Sequence, residues 1–411
     1  MSATPPKLSL IAEGDKCVLC GMCLPQCPTY QHAQDENESP RGRIVLGKAI
    51  LSGELRIDAQ ITRHIDNCLL CRQCERICPS GVQFGYFMDG LRQQLHEGDE
   101  AADKRLETVL EDATQSRRLH GLLRIAHLSG ADKLAGLLPG KLGRLGRSLP
   151  TIGKLSDARP HYPAAHERHR VQMFRGCTQT VFGSALFDTG IAVLNRLGVS
   201  VEVPTEQGCC GALSQHSGHA GRAHVLAAGN LQAFATQPAL PIVTLASGCA
   251  ATLKDYARLT DDYAGAAEFA QQVMDISHYI ASIDWPADVG IRGLKQRVVV
   301  HSPCSLRNVL RQENAVSTLL ARIPGAEIIP LEAGNSCCGA AGSYMFEDEH
   351  RGLSETLAGE NIAKIRELQA DVVVTSNIGC AMQLQAGLKR AGLTIKVLHP
   401  IELLAQQLSP D

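Results

Sequence analysis

Short apolar runs alternate with amphipathic stretches through the C-terminal half of the chain. The runs are VQMF, IVTLA, RVVV and DVVVTS, at residues 171–174, 242–246, 297–300 and 371–376. Runs this short predict buried strands. Apolar positions three and four residues apart predict helices at 185–198, 221–235 and 351–368. Strands that alternate with helices in this way indicate an α/β fold with parallel strands.

An internal repeat in the same half is marked by cysteines. They form two sets, Cys177, Cys209, Cys210 and Cys249, then Cys304, Cys337, Cys338 and Cys380. Corresponding members lie 127 to 131 residues apart, and "GCCGA" in the first set matches "SCCGA" in the second. So regular an offset predicts two tandem α/β repeats in which strand, cysteine and helix recur in that order. Because the ends of parallel strands gather along one edge of a sheet, each set is expected to converge there.

The N-terminal part of the chain is predicted to be helical. Ser39 is placed to cap a helix that begins at Pro40, and a second helix is predicted from Ala59 to Asn67. Two blocks with the spacing C-x2-C-x2-C-x3-C-P occur at residues 17–28 and 68–79. With this spacing three thiolates reach one [4Fe-4S] cube, while the fourth cysteine serves the other cube.

The two blocks therefore predict two [4Fe-4S] clusters held by crossed ligand sets. The first set is Cys17, Cys20, Cys23 and Cys78, and the second is Cys27, Cys68, Cys71 and Cys74. The alternative is a pair of zinc sites, although zinc ligands usually come as two C-x2-C pairs. For the two downstream sets, one or two further iron-sulfur clusters and zinc are both open interpretations. No catalytic residue is predicted in this chain.

Composition narrows the class of protein. The 411 residues include 16 cysteines and carry 40 basic and 42 acidic side chains, and 4% of them are aromatic. This balance excludes a generally basic nucleic-acid binder. Since neither a signal peptide nor an apolar run of membrane-spanning length is found, a cytoplasmic location is expected. A reducing compartment argues against eight disulfides and for metal ligation.

Four segments are predicted along the chain. They are a helical ferredoxin domain with two clusters at 1–98, a basic helical linker at 99–165, a first Cys-Cys-Gly domain at 166–290 and a second at 291–411. Within the linker, residues 117–149 carry seven Lys or Arg against one Asp, with leucines three and four residues apart. This pattern fits an amphipathic helix pair on an anionic membrane surface, which would place the protein peripherally on the inner membrane. The favoured interpretation is a linker whose leucines pack on the flanking domains and whose charges face water, because such stretches are common in linkers.

These residues resemble the iron-sulfur subunit of bacterial glycolate oxidase, in a wider group with cysteine-rich subunits of heterodisulfide reductase and anaerobic glycerol-3-phosphate dehydrogenase. Besides the two cysteine blocks, the resemblance is carried by "SPRGRI", "GCCGALSQHSG", "HSPCSLRN", "NSCCGAAGSY" and "NIGCAMQLQAGL", and it covers nearly the whole chain. It implies an electron-transfer subunit that passes electrons from an FAD-binding partner, where glycolate is oxidised, to a membrane quinone.

Competing functions share parts of this pattern. The heterodisulfide-reductase motif closes with C-x2-C, but here Thr252 and Gln383 stand where that last cysteine would be. Each module therefore has four thiolates instead of five, which argues against thiol-disulfide reduction. A role in D-lactate or glycerol-3-phosphate oxidation and a non-redox zinc scaffold are two further hypotheses. Because no G-x-G-x-x-G follows a strand and opens a helix, the flavin and substrate sites are expected on partner subunits.

Overall fold

The computed structural model describes residues 6–96, 106–138, 143, 146, 149–155, 157–235, 239–260, 263–331 and 337–409. In these residues the chain forms a helical N-terminal unit, a helical linker and two β-sheets flanked by helices. The predicted end of the ferredoxin domain at residue 98 lies outside the described residues, as does most of the basic segment after residue 138.

Helices alone build the described part of the N-terminal unit. They are α1 (Lys7–Asp15), α2 (Pro28–Ala33), α3 (Pro40–Leu51), α4 (Ala59–Asp66), α5 (Gln73–Ile77) and α6 (Phe84–His96), with 3-10 turns at Leu24–Gln26 and Glu36–Glu38. Both predicted helices are confirmed, as α3 and α4. The Gly42 amide donates to Ser39 Oγ at 2.9 Å, and Pro40 takes the first helical position. Leu10 and Phe87 are fully buried in the core between α1, α3 and α6.

Three linker helices follow, α7 (Leu106–Glu111), α8 (Ala113–Ser129) and α9 (Ala131–Leu137). On one face of helix α8, His120 packs against the first repeat, where its Nδ1 lies 3.0 Å from the Val181 carbonyl oxygen. On its other face Leu122, Ile125 and Leu128 are 68%, 67% and 73% exposed. The interpretation in which the linker leucines pack on the flanking domains is therefore wrong for Leu122 and Leu128. No helix in the described ranges has the length and apolar character needed to cross a membrane.

The first sheet has the strand order β1-β3-β2-β4-β5. Its strands are β1 (His161–Tyr162), β2 (His169–Phe174), β3 (Val199–Glu202), β4 (Ile242–Thr244) and β5 (Val273–Asp275). Its helices are α10 (Gly176–Phe182), α11 (Ala185–Arg196), α12 (Ala212–His216), α13 (Ala220–Ala233), α14 (Ser247–Leu259), α15 (Ala266–Gln272) and α16 (Ile276–Ser282). The strands pair in parallel except β1, which pairs antiparallel with β3.

The second sheet is parallel throughout, in the order β7-β6-β8-β9. Its strands are β6 (Arg297–Val300), β7 (Glu327–Pro330), β8 (Val372–Val374) and β9 (Lys396–Leu398). Its helices are α17 (Ala315–Leu320), α18 (Arg351–Glu367), α19 (Ile378–Arg390) and α20 (Pro400–Gln407), with a π-helical turn at Ser305–Val309 and a 3-10 turn at Tyr344–Phe346. The first sheet without β1 has the same order, so the predicted repeat of an α/β unit with parallel strands is confirmed.

The two repeats share one continuous hydrophobic core, to which Val171 of the first and Val298 of the second both belong. The ends of β4 and β8 meet there. The Ser247 amide donates to the Ser376 carbonyl oxygen at 3.0 Å, and the hydroxyl oxygens of Ser247 and Ser305 are 2.9 Å apart. Two of the cysteine-bearing loops are thereby brought towards each other.

A buried carboxyl group near this contact makes stability depend on pH. Asp275 is fully buried at the end of β5, where its Oδ1 accepts from the Ser277 amide at 2.8 Å, and burial raises its pKa to about 6. Because the folded state holds this proton more tightly than the unfolded state, stability falls as pH rises from about 4 to about 6.

We expect Asp275→Asn, which keeps an acceptor for the Ser277 amide, to raise the free energy of unfolding by roughly 3 kcal/mol at pH 8. At pH 5 the gain should be about half as large, because the native carboxyl is then mostly protonated. Denaturant unfolding of both proteins at the two pH values measures this. An equal gain at both would contradict the assigned titration.

Candidate metal centres

The first cysteine block folds into a loop around a cavity. This first cavity is lined by Cys17, Cys20 and Cys23 and, from the second block, by Cys74 and Cys78. Val18, Leu19 and Met22 also line it and are 69%, 52% and 49% exposed. All sixteen cysteines are described, and Cys20 alone among them is exposed. The first cavity therefore opens to the protein surface.

A second cavity is lined by Cys27, Cys68, Cys71 and Cys74, all of which are buried except Cys71. Each block thus gives its last cysteine to the cavity of the other block, since Cys78 lines the first cavity and Cys27 the second. Both cavities are partly open to solvent, so the feature that identifies them is their lining of cysteine sulfurs.

Matching backbone turns shape the two loops. Leu19 and Gly21 have positive φ in the first loop, and Leu70 and Arg72 have positive φ at the equivalent positions of the second. A left-handed conformation costs a non-glycine residue roughly 1–2 kcal/mol. Arg72 is held in it by ion pairs of 2.6 Å to Glu75 and 2.7 Å to Asp255 of α14. The second loop is thereby fixed to the first repeat. This contact could not be predicted from the cysteine spacing.

The chemistry of the sulfur atoms fits iron-sulfur ligation. Burial raises the pKa of the Cys74 thiol well above its usual value and that of Cys23 to about 11, so without a cation these sulfurs stay protonated. A bound metal centre supplies the positive charge that turns such thiols into thiolates. Across the described residues, no three His, Cys, Asp or Glu side chains are already arranged as ligands of a single ion. Four cysteines around one cavity match the donor set of a [4Fe-4S] cube.

In the first repeat the four cysteines come together at the strand ends. Cys177 follows β2, the pair Cys209 and Cys210 lies after β3, and Cys249 is in the first turn of α14 after β4. The Sγ atoms of Cys177 and Cys209 are 3.5 Å apart, and the Cys210 thiol contacts Cys249. Gly211 has φ 80° and donates its amide to the Cys209 sulfur at 3.5 Å.

In the second repeat the cysteines take the equivalent places. Cys304 follows β6, the pair Cys337 and Cys338 precedes the turn that leads to α18, and Cys380 is in the first turn of α19 after β8. The Sγ atoms of Cys338 and Cys380 are 2.9 Å apart. Burial, together with the nearby Cys338 sulfur, raises the pKa of Cys304 to about 11.

The second cavity and the second Cys-Cys set are neighbours. Asn308 Nδ2 donates to the Cys71 carbonyl oxygen at 2.7 Å, and Leu69 packs in one buried cluster with Cys337. Burial raises the pKa of Cys71 well above its usual value, and the sulfurs of Cys304 and Cys337 raise it further. The helical unit thus places Cys71 against the second repeat, next to the loops that carry its cysteines.

An asparagine behind each Cys-Cys pair was not identified from the sequence. Asn230 Nδ2 donates to the Cys209 carbonyl oxygen at 2.8 Å, and Asn361 Nδ2 donates to that of Cys337 at 2.8 Å. Both are buried, Asn230 in α13 and Asn361 in α18. Their separation of 131 residues falls within the offset of the repeat, which is the signal that could have found them.

The positions where a fifth cysteine would stand hold polar side chains with internal partners. Thr252 Oγ1 donates to the Gly248 carbonyl oxygen at 3.3 Å within α14. Gln383 Nε2 donates to Ser354 Oγ at 2.9 Å and so ties α19 to α18. In this chain both positions therefore serve local structure.

Family models match three stretches of the chain. Residues 13–82 match the family model of the 4Fe-4S dicluster domain, and residues 171–254 and 298–385 each match that of the cysteine-rich domain CCG. The fold class, a helical dicluster module followed by two tandem Cys-Cys-Gly repeats, is confirmed. The matches also confirm the general prediction that this chain carries iron-sulfur clusters.

Relatives align with nearly the whole chain. The chain is 32% identical to the probable glycolate oxidase iron-sulfur subunit of Bacillus subtilis strain 168, over 96% of this chain and 94% of that protein. It is 31% identical to the glycolate oxidase iron-sulfur subunit of Escherichia coli strain K12, with the same shares. Lactate utilization protein A of Geobacillus sp. strain WCH70 is 29% identical over 57% of this chain and 98% of that protein. On this evidence the chain belongs to the family of glycolate oxidase iron-sulfur subunits.

Proposed function

We propose that this chain is the electron-transfer subunit of a flavin-linked glycolate dehydrogenase. Relatives named for glycolate oxidase align over 96% of the chain, whereas the lactate utilization relative aligns over 57%, which favours glycolate over D-lactate. Removing a hydride equivalent from a 2-hydroxy acid needs a cofactor that accepts two electrons. We assign that step to an FAD-binding partner subunit and the onward transfer of single electrons to this chain. A membrane quinone is the proposed acceptor.

The proposed ligand sets are those that line the cavities. Cys17, Cys20, Cys23 and Cys78 would hold one [4Fe-4S] cluster, and Cys27, Cys68, Cys71 and Cys74 the second. The sets Cys177, Cys209, Cys210, Cys249 and Cys304, Cys337, Cys338, Cys380 are proposed sites of further iron-sulfur centres, with zinc as the alternative. Such clusters accept and release single electrons. The protein residues bind them and hold neighbouring sites close together.

The observation that carries the proposal is the position of Cys71. It lines the second cavity, its carbonyl oxygen accepts from Asn308 of the second repeat at 2.7 Å, and Leu69, two residues earlier, packs with Cys337. A structural zinc site does its work without a neighbouring metal centre, whereas electron transfer depends on short distances between successive metal centres. The exposed rim at the first cavity and the buried set in the second repeat would be opposite ends of such a relay.

Metal analysis and reduction by substrate test this function. Anaerobically purified chain should contain about eight irons if two cubes are bound, and about twelve to sixteen if the Cys-Cys sets also bind clusters. Adding glycolate should bleach the visible absorbance only when the flavoprotein partner is present. Zinc in place of iron at the N-terminal blocks, or iron that glycolate and partner together fail to reduce, would refute the electron-transfer role.

We also propose peripheral membrane contact through α8 and α9. The exposed aliphatic side chains of α8, Leu122, Ile125 and Leu128, lie on a face beside the exposed Arg117 and Arg118. Aliphatic groups flanked by arginines suit the boundary between acyl chains and anionic headgroups. This surface would bring the relay close to a membrane quinone.

Replacing Leu122, Ile125 and Leu128 together with glutamine should weaken binding to vesicles of anionic phosphatidylglycerol at least tenfold. Each substitution removes an aliphatic side chain whose transfer from water contributes about 1.5–3 kcal/mol when burial is complete. Sedimentation with vesicles measures the bound fraction. Val225→Gln, which changes an aliphatic residue that is 70% exposed on α13, is the matched control. Unchanged binding of the triple variant would exclude α8 as the contact.

A further inference from the structure

Helix α3 begins between the two cysteine-lined cavities. Pro40, its first residue, lines both of them, whereas Arg41 lines the first cavity and Arg43 lines the second. Residues two apart on an α-helix point about 200° away from each other, because each residue turns the helix by about 100°. A single helix start can therefore give one arginine to each cavity.

Arg41 is bound to the loop of the first cavity. Its Nη1 donates to the Leu19 carbonyl oxygen at 3.0 Å, and its backbone amide contacts the Cys23 sulfur. Its Nε forms an ion pair of 2.6 Å with Glu36, whose side chain is 48% exposed. The positive charge of Arg41 thus lies next to the first cavity, and water screens the negative charge of its partner Glu36.

Arg43 is bound to the wall of the second cavity and is 1% exposed. Its Nη2 pairs with Glu38 Oε2 at 2.5 Å, and its Nη1 donates to Thr29 Oγ1 at 2.9 Å. Thr29 Oγ1 is 3.1 Å from Cys27 Sγ, so one hydroxyl group separates this arginine from a cysteine of the second cavity. Glu38 also contacts His64 Nδ1 at 2.7 Å. The positive charge here has a buried counter-charge.

Gly42 between the two arginines allows this arrangement. A Cβ atom at this position would lie 1.9 Å from the Glu36 carbonyl oxygen. Only glycine lets the 3-10 turn that carries Glu36 and Glu38 close against the start of α3. The segment S-P-R-G-R therefore combines a cap, a helix start, a close backbone approach and two separately placed cations.

We propose that Arg41 and Arg43 set the reduction potentials of the two N-terminal clusters independently, each through its own cavity and its own glutamate partner. This inference rests on the cluster assignment proposed above. Reduction adds one electron to one cluster, so a nearby cation stabilises the reduced form and a nearby carboxylate destabilises it. Removing Arg41 should make the first cluster harder to reduce. Removing the charge of Glu36 should make the first cluster easier to reduce, and removing that of Glu38 should make the second cluster easier to reduce.

The test is a redox titration of the full-length protein, followed by electron paramagnetic resonance, with dithionite as the electron donor. Cys17→Ala and Cys71→Ala assign the two signals. Arg41→Gln should lower the ratio of reduced to oxidised first cluster about tenfold at fixed potential, which is 59 mV for a one-electron couple. Arg41→Lys should keep most of the potential, because it keeps the charge. The second cluster should not respond to either variant.

Two glutamate variants give shifts of the opposite sign and are useful should Arg41→Gln fail to assemble its cluster. Glu36→Gln should raise the reduced fraction of the first cluster only, and Glu38→Gln that of the second only. Unmoved potentials, equal shifts in both clusters, or an equal effect of Arg41→Lys and Arg41→Gln would overturn the inference. Fewer than two clusters in the unsubstituted protein would instead overturn the ligand assignment, and the inference with it.

Discussion

Replacing Cys78 with alanine is expected to remove the cluster of the first cysteine block, although Cys78 belongs to the second. Cys78 lines the first cavity with Cys17, Cys20 and Cys23. A cube that keeps three of its four thiolates loses the ligand of one iron and becomes labile. Iron content should fall by about four per chain, and one of the two cluster signals should disappear.

The matched variants are Cys17→Ala, Cys27→Ala and Cys71→Ala, each analysed for iron and for the signal that remains. With crossed ligands, Cys78→Ala loses the same signal as Cys17→Ala, and Cys27→Ala loses the same signal as Cys71→Ala. If each block held its own cube, Cys78→Ala would instead match Cys71→Ala. Cys74 is unsuitable for this comparison because it lines both cavities.

The repeated architecture could be predicted because the signal is local. Each of the runs at 171–174, 242–246, 297–300 and 371–376 overlaps a strand, β2, β4, β6 or β8. The five other strands described were not predicted. β1 has two residues, while β3, β5, β7 and β9 have three or four and lack a continuous apolar run bounded by turn residues. Their pairing is decided by neighbours distant in sequence.

In the candidate sites, too, contacts between residues distant in sequence could not be predicted. Cysteine spacing could predict which cysteines line the two N-terminal cavities, because a loop of fixed length constrains where its own sulfurs can point. It carried no information on what lies beside the loop. The contact of Asn308 with Cys71 joins residues 237 positions apart, and the ion pair between Arg72 and Asp255 joins residues 183 apart. The neighbouring position of the second cavity and the second Cys-Cys set therefore became visible only in the folded chain.

Arg92 is expected to be the most important single side chain for holding the helical unit on the two repeats. It lies in α6 and is 4% exposed. Its Nη2 donates to the Cys68 carbonyl oxygen at 2.7 Å and contacts the Tyr344 hydroxyl of the second repeat at 2.8 Å. Its Nη1 donates to the His216 carbonyl oxygen of the first repeat at 2.8 Å. One guanidinium group thus joins all three units beside the second cysteine loop.

Arg92→Ala should lower the free energy of unfolding by about 3–5 kcal/mol, because buried carbonyl oxygens of the second loop lose their donor together with a buried charge. Arg92→Lys keeps the charge but lacks the planar guanidinium group, so its free energy of unfolding should lie between those of the unsubstituted protein and Arg92→Ala. Arg258→Ala is the control, since Arg258 also bridges units, to Gln83, but is 30% exposed and should cost no more than about 1 kcal/mol. Denaturant unfolding followed by circular dichroism and by cluster absorbance measures all three. If Arg92→Ala is no more destabilising than Arg258→Ala, the three units are held together by their apolar contacts and Arg92 serves only the local loop.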